Sequence, residues 1–140
     1  MASIFLDSSI FLNYFLNGPK FQKSSRFIVD LDNGQMKAVI NTMCILEIKY
    51  HILQEKGHEP AEQAIFLIKR NSNLEIVPIT SEIAERAAEL RSKYYDRNER
   101  PLSFADSLHL ATAIEKNCSK LVTADSDFKD ITEMRTEYIK

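Results

Sequence analysis

A predicted helix and a predicted strand follow one another in residues 103–128, SFADSLHLATAIEKNCSKLVTADSDF. Ser103 and Asp106 form a Ser-x-x-Asp variant of the capping box, a pattern that marks the start of a helix. Apolar residues then recur at helical spacing up to Asn117, and Leu121–Thr123 is a short apolar strand. Short strands without polar alternation, each next to a helix, are typical of a parallel sheet that helices cover on both faces.

The rest of the chain repeats this alternation. Strands are predicted at residues 3–6, 37–41, 74–77 and 121–123, and residues 138–139 could add an edge strand. The helices between them have candidate capping residues at their starts, namely Asp7 or Ser8, Thr42, Thr80 or Ser81, and Ser103. The sequence therefore predicts a single α/β domain over residues 1–140. We expect three layers (α/β/α) with a central, mostly parallel sheet of four to five short strands.

The composition indicates an ordinary globular domain. Of the 140 residues, 44% are hydrophobic and 27% are charged, and the formal net charge of −2 provides no general attraction for nucleic acid. A local basic patch or bound cations can still create one. No apolar run is long enough for a transmembrane helix and there is no secretory signal, so we expect a cytoplasmic protein without a membrane anchor. Cys44 and Cys118 are expected to be buried free thiols.

Carboxylates lie at the predicted ends of the strands. Asp7 directly follows the first strand, and Asp125 and Asp127 follow the last confidently predicted one. Asp106 lies in the first turn of its helix, and Glu47 lies one to two turns into the helix after the second strand. Ligands of open α/β sheets bind at the carboxyl ends of the strands, which share one edge of the sheet. We therefore expect these acids to converge.

Each of these acids also has a purely structural interpretation. Asp7 and Asp106 could be helix caps, Asp125 could close an Asx turn, and Glu47 could pair with a surface lysine. The joint arrangement favours a metal site, because several partly buried carboxylates without a basic partner need a cation to neutralise them. Oxygen ligands without clustered histidine or cysteine suit Mg²⁺ or Mn²⁺ rather than zinc.

Four segments, in this order, resemble the motifs of the PIN-domain family: FLDSSIFL (residues 5–12), TMCILEI (42–48), SFADSLHLATA (103–113) and LVTADSDF (121–128). The resemblance spans nearly the whole chain and implies the PIN-like form of the predicted fold. It also implies catalytic and metal-binding roles for four acids, namely Asp7, Glu47, Asp106 and Asp125. Asp127 would be a further metal-binding acid, and Ser9 a polar neighbour of Asp7 that contacts the substrate.

Many members of this family are the toxin ribonucleases of VapBC-type toxin–antitoxin pairs, and others process RNA in different settings. The resemblance therefore implies an Mg²⁺- or Mn²⁺-dependent endoribonuclease that hydrolyses RNA phosphodiester bonds and leaves 5′-phosphate and 3′-hydroxyl ends. A small antitoxin protein and a second copy of the chain, in a homodimer, are the implied protein partners. The alternatives are an RNA-processing nuclease outside a toxin–antitoxin pair, or a PIN-like domain that binds RNA or a protein without cleaving.

Basic side chains that lead into the helix of Asp106 could hold the phosphates of a substrate: Arg91, Lys93, Arg97 and Arg100. They could equally form a solvated helix face and loop. Tyr94 and Tyr95 could stack on bases or pack against the core.

Other classes fit the sequence less well. The pairs Glu47–His51 and Asp106–His109 have spacings that could bind a transition metal, but that architecture requires a four-helix bundle. We expect His109 to pack beside the site. A receiver domain needs a phosphorylatable Asp after a central strand, a dehalogenase-type phosphatase needs Asp-x-Asp after the first strand, and a serine hydrolase needs Gly-x-Ser-x-Gly. The sequence has none of these at the required places.

Overall fold

The computed structural model describes residues 1–96, 102–128 and 130–140. The described strands form one sheet: β1 (Ser3–Leu6), β2 (Lys37–Asn41), β3 (Leu74–Val77), β4 (Leu121–Thr123) and β5 (Thr136–Tyr138). Their spatial order is β3-β2-β1-β4-β5, and every neighbouring pair is parallel. The predicted parallel sheet is confirmed, and the suggested edge strand is present as β5.

Helices lie in pairs between the first four strands. They are α1 (Ser8–Phe15) and α2 (Phe21–Asp32), α3 (Thr42–Lys56) and α4 (His58–Arg70), and α5 (Ser81–Tyr94) and α6 (Phe104–Glu115). Parallel crossovers are right-handed, so the two pairs that lead outward from β1 to β3 cover one face. The third pair leads back across the sheet to β4 and therefore covers the other face. The three-layer prediction is confirmed.

The centre of the sheet is a topological switch point. The chain builds β1, β2 and β3 in one direction and then returns to place β4 on the opposite side of β1. The backbone N–H of Asp7 donates to the carbonyl of Val122 at 2.9 Å, which joins the ends of β1 and β4. In open α/β sheets the functional crevice opens at this point, beyond the carboxyl ends of the strands.

The core explains why these strands are apolar on both sides. Phe5, Leu6, Ile40 and Leu121 on the strands and Leu110 on α6 have no exposed surface. Central strands with helices on both faces cannot alternate polar and apolar side chains. Their burial makes the sheet a rigid base for the residues that follow each strand.

Helix caps follow the sequence predictions at α5 and α6 and depart from them at α3. Thr80 caps α5, and Ser103 and Asp106 form the predicted capping box of α6. The expected cap of α3, Thr42, was wrong, because the side chain of Asn41 accepts the backbone N–H of Cys44 at 2.9 Å. Strand β2 continues into α3 without a loop, so the last strand residue serves as the cap. Thr42 instead accepts the backbone N–H of Ile79.

The structure also shows the positions of three smaller groups of side chains. Asp7 occupies the N-cap position of α1, but its side chain makes no capping hydrogen bond. His58 is exposed and begins α4. Cys44 and Cys118 are free thiols, of which Cys118 is only half-buried. Within the described ranges, none of the helices has the length and apolar character that crossing a membrane requires.

Candidate metal centre

The carboxyl edge of the sheet carries the predicted acids on four different elements. Asp7 joins β1 to α1, and Glu47 lies in α3, which follows β2 directly. Asp106 is the third residue of α6, and Asp125 lies two residues after β4. Because β1 lies between β2 and β4, the strand ends that position these acids are neighbours.

Asp7 is held by hydroxyl groups on one of its two oxygens. Its Oδ2 accepts Ser9 Oγ at 2.7 Å and Thr123 Oγ1 at 2.8 Å, and its side chain is almost fully buried. The two hydroxyls are fixed in turn by backbone N–H groups, Ala124 to Ser9 Oγ and Asp125 to Thr123 Oγ1. This network fixes the orientation of the carboxylate, whose Oδ1 lies toward the other acids.

Glu47 is held by two donors on its Oε1. His109 Nε2 lies at 2.7 Å from this oxygen and Ser8 Oγ donates to it at 3.0 Å. His109 has no exposed surface, its Nδ1 lies 3.6 Å from Cys44 Sγ, and its Nε2 also lies 3.6 Å from Asp7 Oδ1. The imidazole therefore lies between the two carboxylates at the base of the crevice.

Charge and burial shift the pKa values of this pair in opposite directions. Desolvation acts to raise the pKa of Glu47, but the hydrogen bonds from His109 and Ser8 outweigh it and the pKa is lowered. Burial acts to lower the pKa of His109, but the contacts with Cys44 and Glu47 and the charge of Asp7 raise it well above its usual value. The contact therefore favours the charged form of each partner, carboxylate on Glu47 and imidazolium on His109.

Ligand atoms of Asp7, Glu47 and His109 all lie within 4.8 Å of one another. Among the described residues, this is the group with the geometry to hold a metal ion. Asp7 and Glu47 offer carboxylate oxygens to this group, and Asp106 and Asp125 add two more carboxylates at the same edge of the sheet. Mg²⁺ and Mn²⁺ prefer such oxygens, so the carboxylates present fit a divalent cation.

Asp106 and Asp125 lie outside this closest group, but each interacts electrostatically with Asp7. Burial, followed by the charge of Asp7, raises the pKa of Asp106 to about 6, and its Oδ2 accepts the backbone N–H of Ser103 at 3.3 Å. The side chain of Asp125 is exposed, yet partial desolvation and the charges of Asp7 and Asp127 raise its pKa. Asp127 also raises the pKa of Asp106. The acids repel one another, which a cation would relieve.

Of the predicted substrate-binding residues, the structure describes Ser9, Arg91 and Lys93. Ser9 is buried beneath Asp7, where its hydroxyl positions the carboxylate, and contact with substrate stays a prediction. Arg97 and Arg100 lie outside the described residues. Lys93 pairs with Glu133 at 3.0 Å, and Arg91 Nε donates to the carbonyl of Leu102 at 3.0 Å.

His109 packs beside the site as expected, but its contact with Glu47 was not predicted, and two further supporting residues, Thr123 and Lys20, were missed. The spacing Asp106-x-x-His109 puts both side chains on one side of α6, which could have signalled the role of His109. Thr123 is a hydroxyl in an otherwise apolar strand, which was a weaker signal. Lys20 donates to the carbonyl of Ala124 at 2.7 Å and to Tyr138 Oη at 2.9 Å. No local pattern reveals a contact between residues so far apart in sequence.

A comparison with protein-family models matches residues 4–134 to the PIN domain. The match covers most of the chain and includes every acid of the site. The chain belongs to the PIN-domain family. A comparison with curated protein sequences finds no match.

Several solved structures share the fold over nearly the whole chain. VapC20 of Mycobacterium tuberculosis, a toxin that cleaves the sarcin–ricin loop, has a TM-score of 0.76 and 20% identity and covers 95% of this chain and 99% of its own. VapBC2 of Rickettsia felis, bound to a DNA fragment from its promoter, has a TM-score of 0.72, 19% identity and 98% coverage of both chains. A toxin–antitoxin complex from Klebsiella pneumoniae has a TM-score of 0.69 and 22% identity and covers 99% of this chain and 100% of its own. At these identities the likeness establishes the fold.

Proposed function

We propose that this protein is a divalent-metal-dependent endoribonuclease and the toxin component of a VapBC-type pair. The observation that carries the proposal is the convergence of Asp7, Glu47 and His109 within 4.8 Å, on a PIN-domain fold. Asp106 and Asp125 add charge to the same site, since each has a pKa raised by Asp7. The structural neighbours include toxins and toxin–antitoxin complexes, which supports the toxin assignment.

Asp7, Glu47, Asp106 and Asp125 would hold Mg²⁺ or Mn²⁺, with Asp127 as a further acid. When bound, such an ion supplies Lewis-acid activation of water and of the phosphate. The carboxylates alone would repel an RNA backbone, so we expect cleavage to require the cation. Ser9 and Thr123 hold Asp7, and His109 and Ser8 hold Glu47, so the donors are oriented before a substrate arrives.

The reaction is hydrolysis of a phosphodiester bond. The oxygen of a water molecule bonds to phosphorus, the bond from phosphorus to the 3′-oxygen breaks, and that oxygen takes a proton. The products have a 5′-phosphate and a 3′-hydroxyl. Glu47 and Asp125 would help to orient the attacking water, because they lie on either side of the β1 strand end.

The test is cleavage of a mixed structured RNA by the purified protein, with Mg²⁺ or Mn²⁺ and with EDTA. Asp7→Asn and Asp106→Asn remove one charge each from the site, and Asp30→Asn, an exposed acid on α2, is the matched control. We expect cation-dependent cleavage by the wild type and Asp30→Asn and none by the two site variants. Cleavage that survives both site substitutions would contradict the proposal. Specific RNA binding by folded wild type without cleavage would identify a binding-only domain.

An antitoxin partner, a homodimer and a cytoplasmic location belong to the same proposal. A cleft of about 370 Å³ between α1, α2 and α4 is lined by apolar side chains such as Phe15 and Ile28 and by polar ones such as Asp32, Arg70 and Asn71, and it could hold an amphipathic segment of a small partner. Growth arrest on expression distinguishes a toxin from an RNA-processing enzyme. Induced expression in bacteria should arrest growth for the wild type and not for Asp7→Asn, whereas normal growth with active enzyme would favour a processing role.

A further inference from the structure

Two aromatic rings enclose an arginine at the start of α6. The guanidinium carbon of Arg91 lies 4.0 Å from the ring centre of Tyr95 and 4.1 Å from that of Phe104. The Arg91 side chain is also anchored, because its Nε donates to the carbonyl of Leu102 at 3.0 Å. A guanidinium that stacks on two rings and is fixed by a hydrogen bond holds both rings in place.

These rings do not belong to the core. Phe104 is 72% exposed and Tyr95 is 43% exposed, whereas Leu102 has no exposed surface. Phe104 is the first residue of α6 and Asp106 is the third, so the aromatic rim (Arg91, Tyr95 and Phe104) includes the helix turn that carries Asp106. Folding does not require an apolar ring of this size at that place in water.

The chemistry of this rim complements that of the crevice. The acids attract a cation but repel a phosphate, so they cannot by themselves hold an RNA strand. A phenyl ring is uncharged and stacks on the face of any unpaired base, and an arginine plane adds positive charge next to it. The aromatic rim therefore offers a contact that the acids lack.

We propose that Phe104, held by Arg91, is the stacking surface for an unpaired base next to the bond that is cleaved. This inference rests on the proposed ribonuclease function and adds a substrate-selecting residue to it. Purines have the larger ring systems and overlap more with Phe104, so a purine at that position is preferred. The substrate class is thus single-stranded or looped RNA with a purine near the cleavage point.

The kinetic test uses 12-nucleotide single-stranded RNAs that carry a purine or a pyrimidine at each position in turn, with Mn²⁺. Phe104→Ala raises KM by about 5- to 100-fold with little change in kcat, because stacking is made in the bound ground state as well as in the transition state. Phe104→Trp retains activity, and Phe104→Leu behaves like Phe104→Ala. The purine preference disappears in both the Ala and Leu variants.

The matched control is Phe66→Ala. Phe66 is also an exposed phenylalanine, at 61%, with Arg70 over its ring at 5.7 Å. It lies on α4, which leads into the amino end of edge strand β3, away from the acids. Phe66→Ala leaves KM and the base preference unchanged. Thermal unfolding of both Ala variants stays near that of the wild type, because neither ring is buried.

A second readout does not depend on cleavage. The same RNAs with 2-aminopurine in place of one purine are titrated with Asp106→Asn protein in Mn²⁺, and stacking quenches the fluorescence. Introducing Phe104→Ala into the Asp106→Asn protein should abolish the quenching. The inference is overturned if Phe104→Ala leaves both KM and the fluorescence quenching unchanged. The aromatic rim would then be a contact surface for a protein partner instead. Full activity of Phe104→Leu overturns it too. A wild type that neither cuts nor binds RNA overturns the proposed function as well.

Discussion

Glu47 and His109 come from helices on opposite faces of the sheet, and His109 Nε2 meets Glu47 Oε1 at 2.7 Å beyond its edge. The imidazole is completely buried and the carboxylate is partly exposed. This contact links α3 to α6 at the edge of the sheet where the acids lie.

Removal of the imidazole should therefore destabilise the protein and raise the pKa of Glu47. We expect His109→Leu to lower the free energy of unfolding in urea by about 1.5–3 kcal/mol, the usual value for a hydrogen bond to a charged group. The double variant with Glu47→Gln should lose less than the sum of the two single variants, because the two residues interact directly. Strictly additive losses would show that the contact contributes nothing.

Asp106 should make the metal-free protein sensitive to pH. Its pKa of about 6 is above the unfolded value, so its contribution to stability is present below about pH 4 and is lost as the pH rises through 6. In EDTA at pH 7.5, Asp106→Asn should be more stable than the wild type by about 1–3 kcal/mol, and the difference should vanish near pH 4. Urea unfolding at both pH values measures it, and a less stable Asn variant at pH 7.5 would contradict the raised pKa.

Ser9 should act on the metal site through Asp7. Ser9→Ala removes one of the two hydroxyls on Asp7 Oδ2 and the acceptor for the Ala124 N–H. We expect the Mn²⁺ concentration for half-maximal RNA cleavage to rise by about 10- to 100-fold, the usual effect of losing a residue that orients a ligand. Ser25→Ala is the control, since that hydroxyl bonds only to Phe21 in its own helix. The same metal requirement in both variants would refute this role.

Replacement of Asn41 should destabilise the protein strongly, because this residue connects β2, α3 and α6. Its Oδ1 caps α3, and its Nδ2 donates to Thr112 Oγ1 of α6 at 2.9 Å, with no exposed surface. Asn41→Ala loses a cap and a buried hydrogen bond, so we expect a loss of about 1.5–3 kcal/mol in urea unfolding. Thr80→Ala loses only the exposed cap of α5 and should cost about 1 kcal/mol. Equal losses would mean that the link to α6 is not stabilising.

The sequence predicted the fold well because each element has a local signal. The capping box at Ser103 and the apolar strands are properties of neighbouring residues, and the structure has both. The convergence of acids followed from a general property of parallel sheets, with no need for distances. Contacts that depend on side-chain reach across the sheet, such as His109 with Glu47 or Lys20 with Ala124, were not predictable. The cap at Asn41 was missed because strand and helix share that boundary.

The hydrogen bond between Thr123 and Asp7 joins residues that are 116 positions apart. A ribosome adds about 5–20 residues per second, so about 6–23 seconds of synthesis separate the two ends of this contact. During that time the carboxylate at the end of β1 has neither its second hydroxyl donor nor the neighbouring β4 backbone. The candidate metal centre therefore remains unassembled during translation until nearly the whole domain has been made.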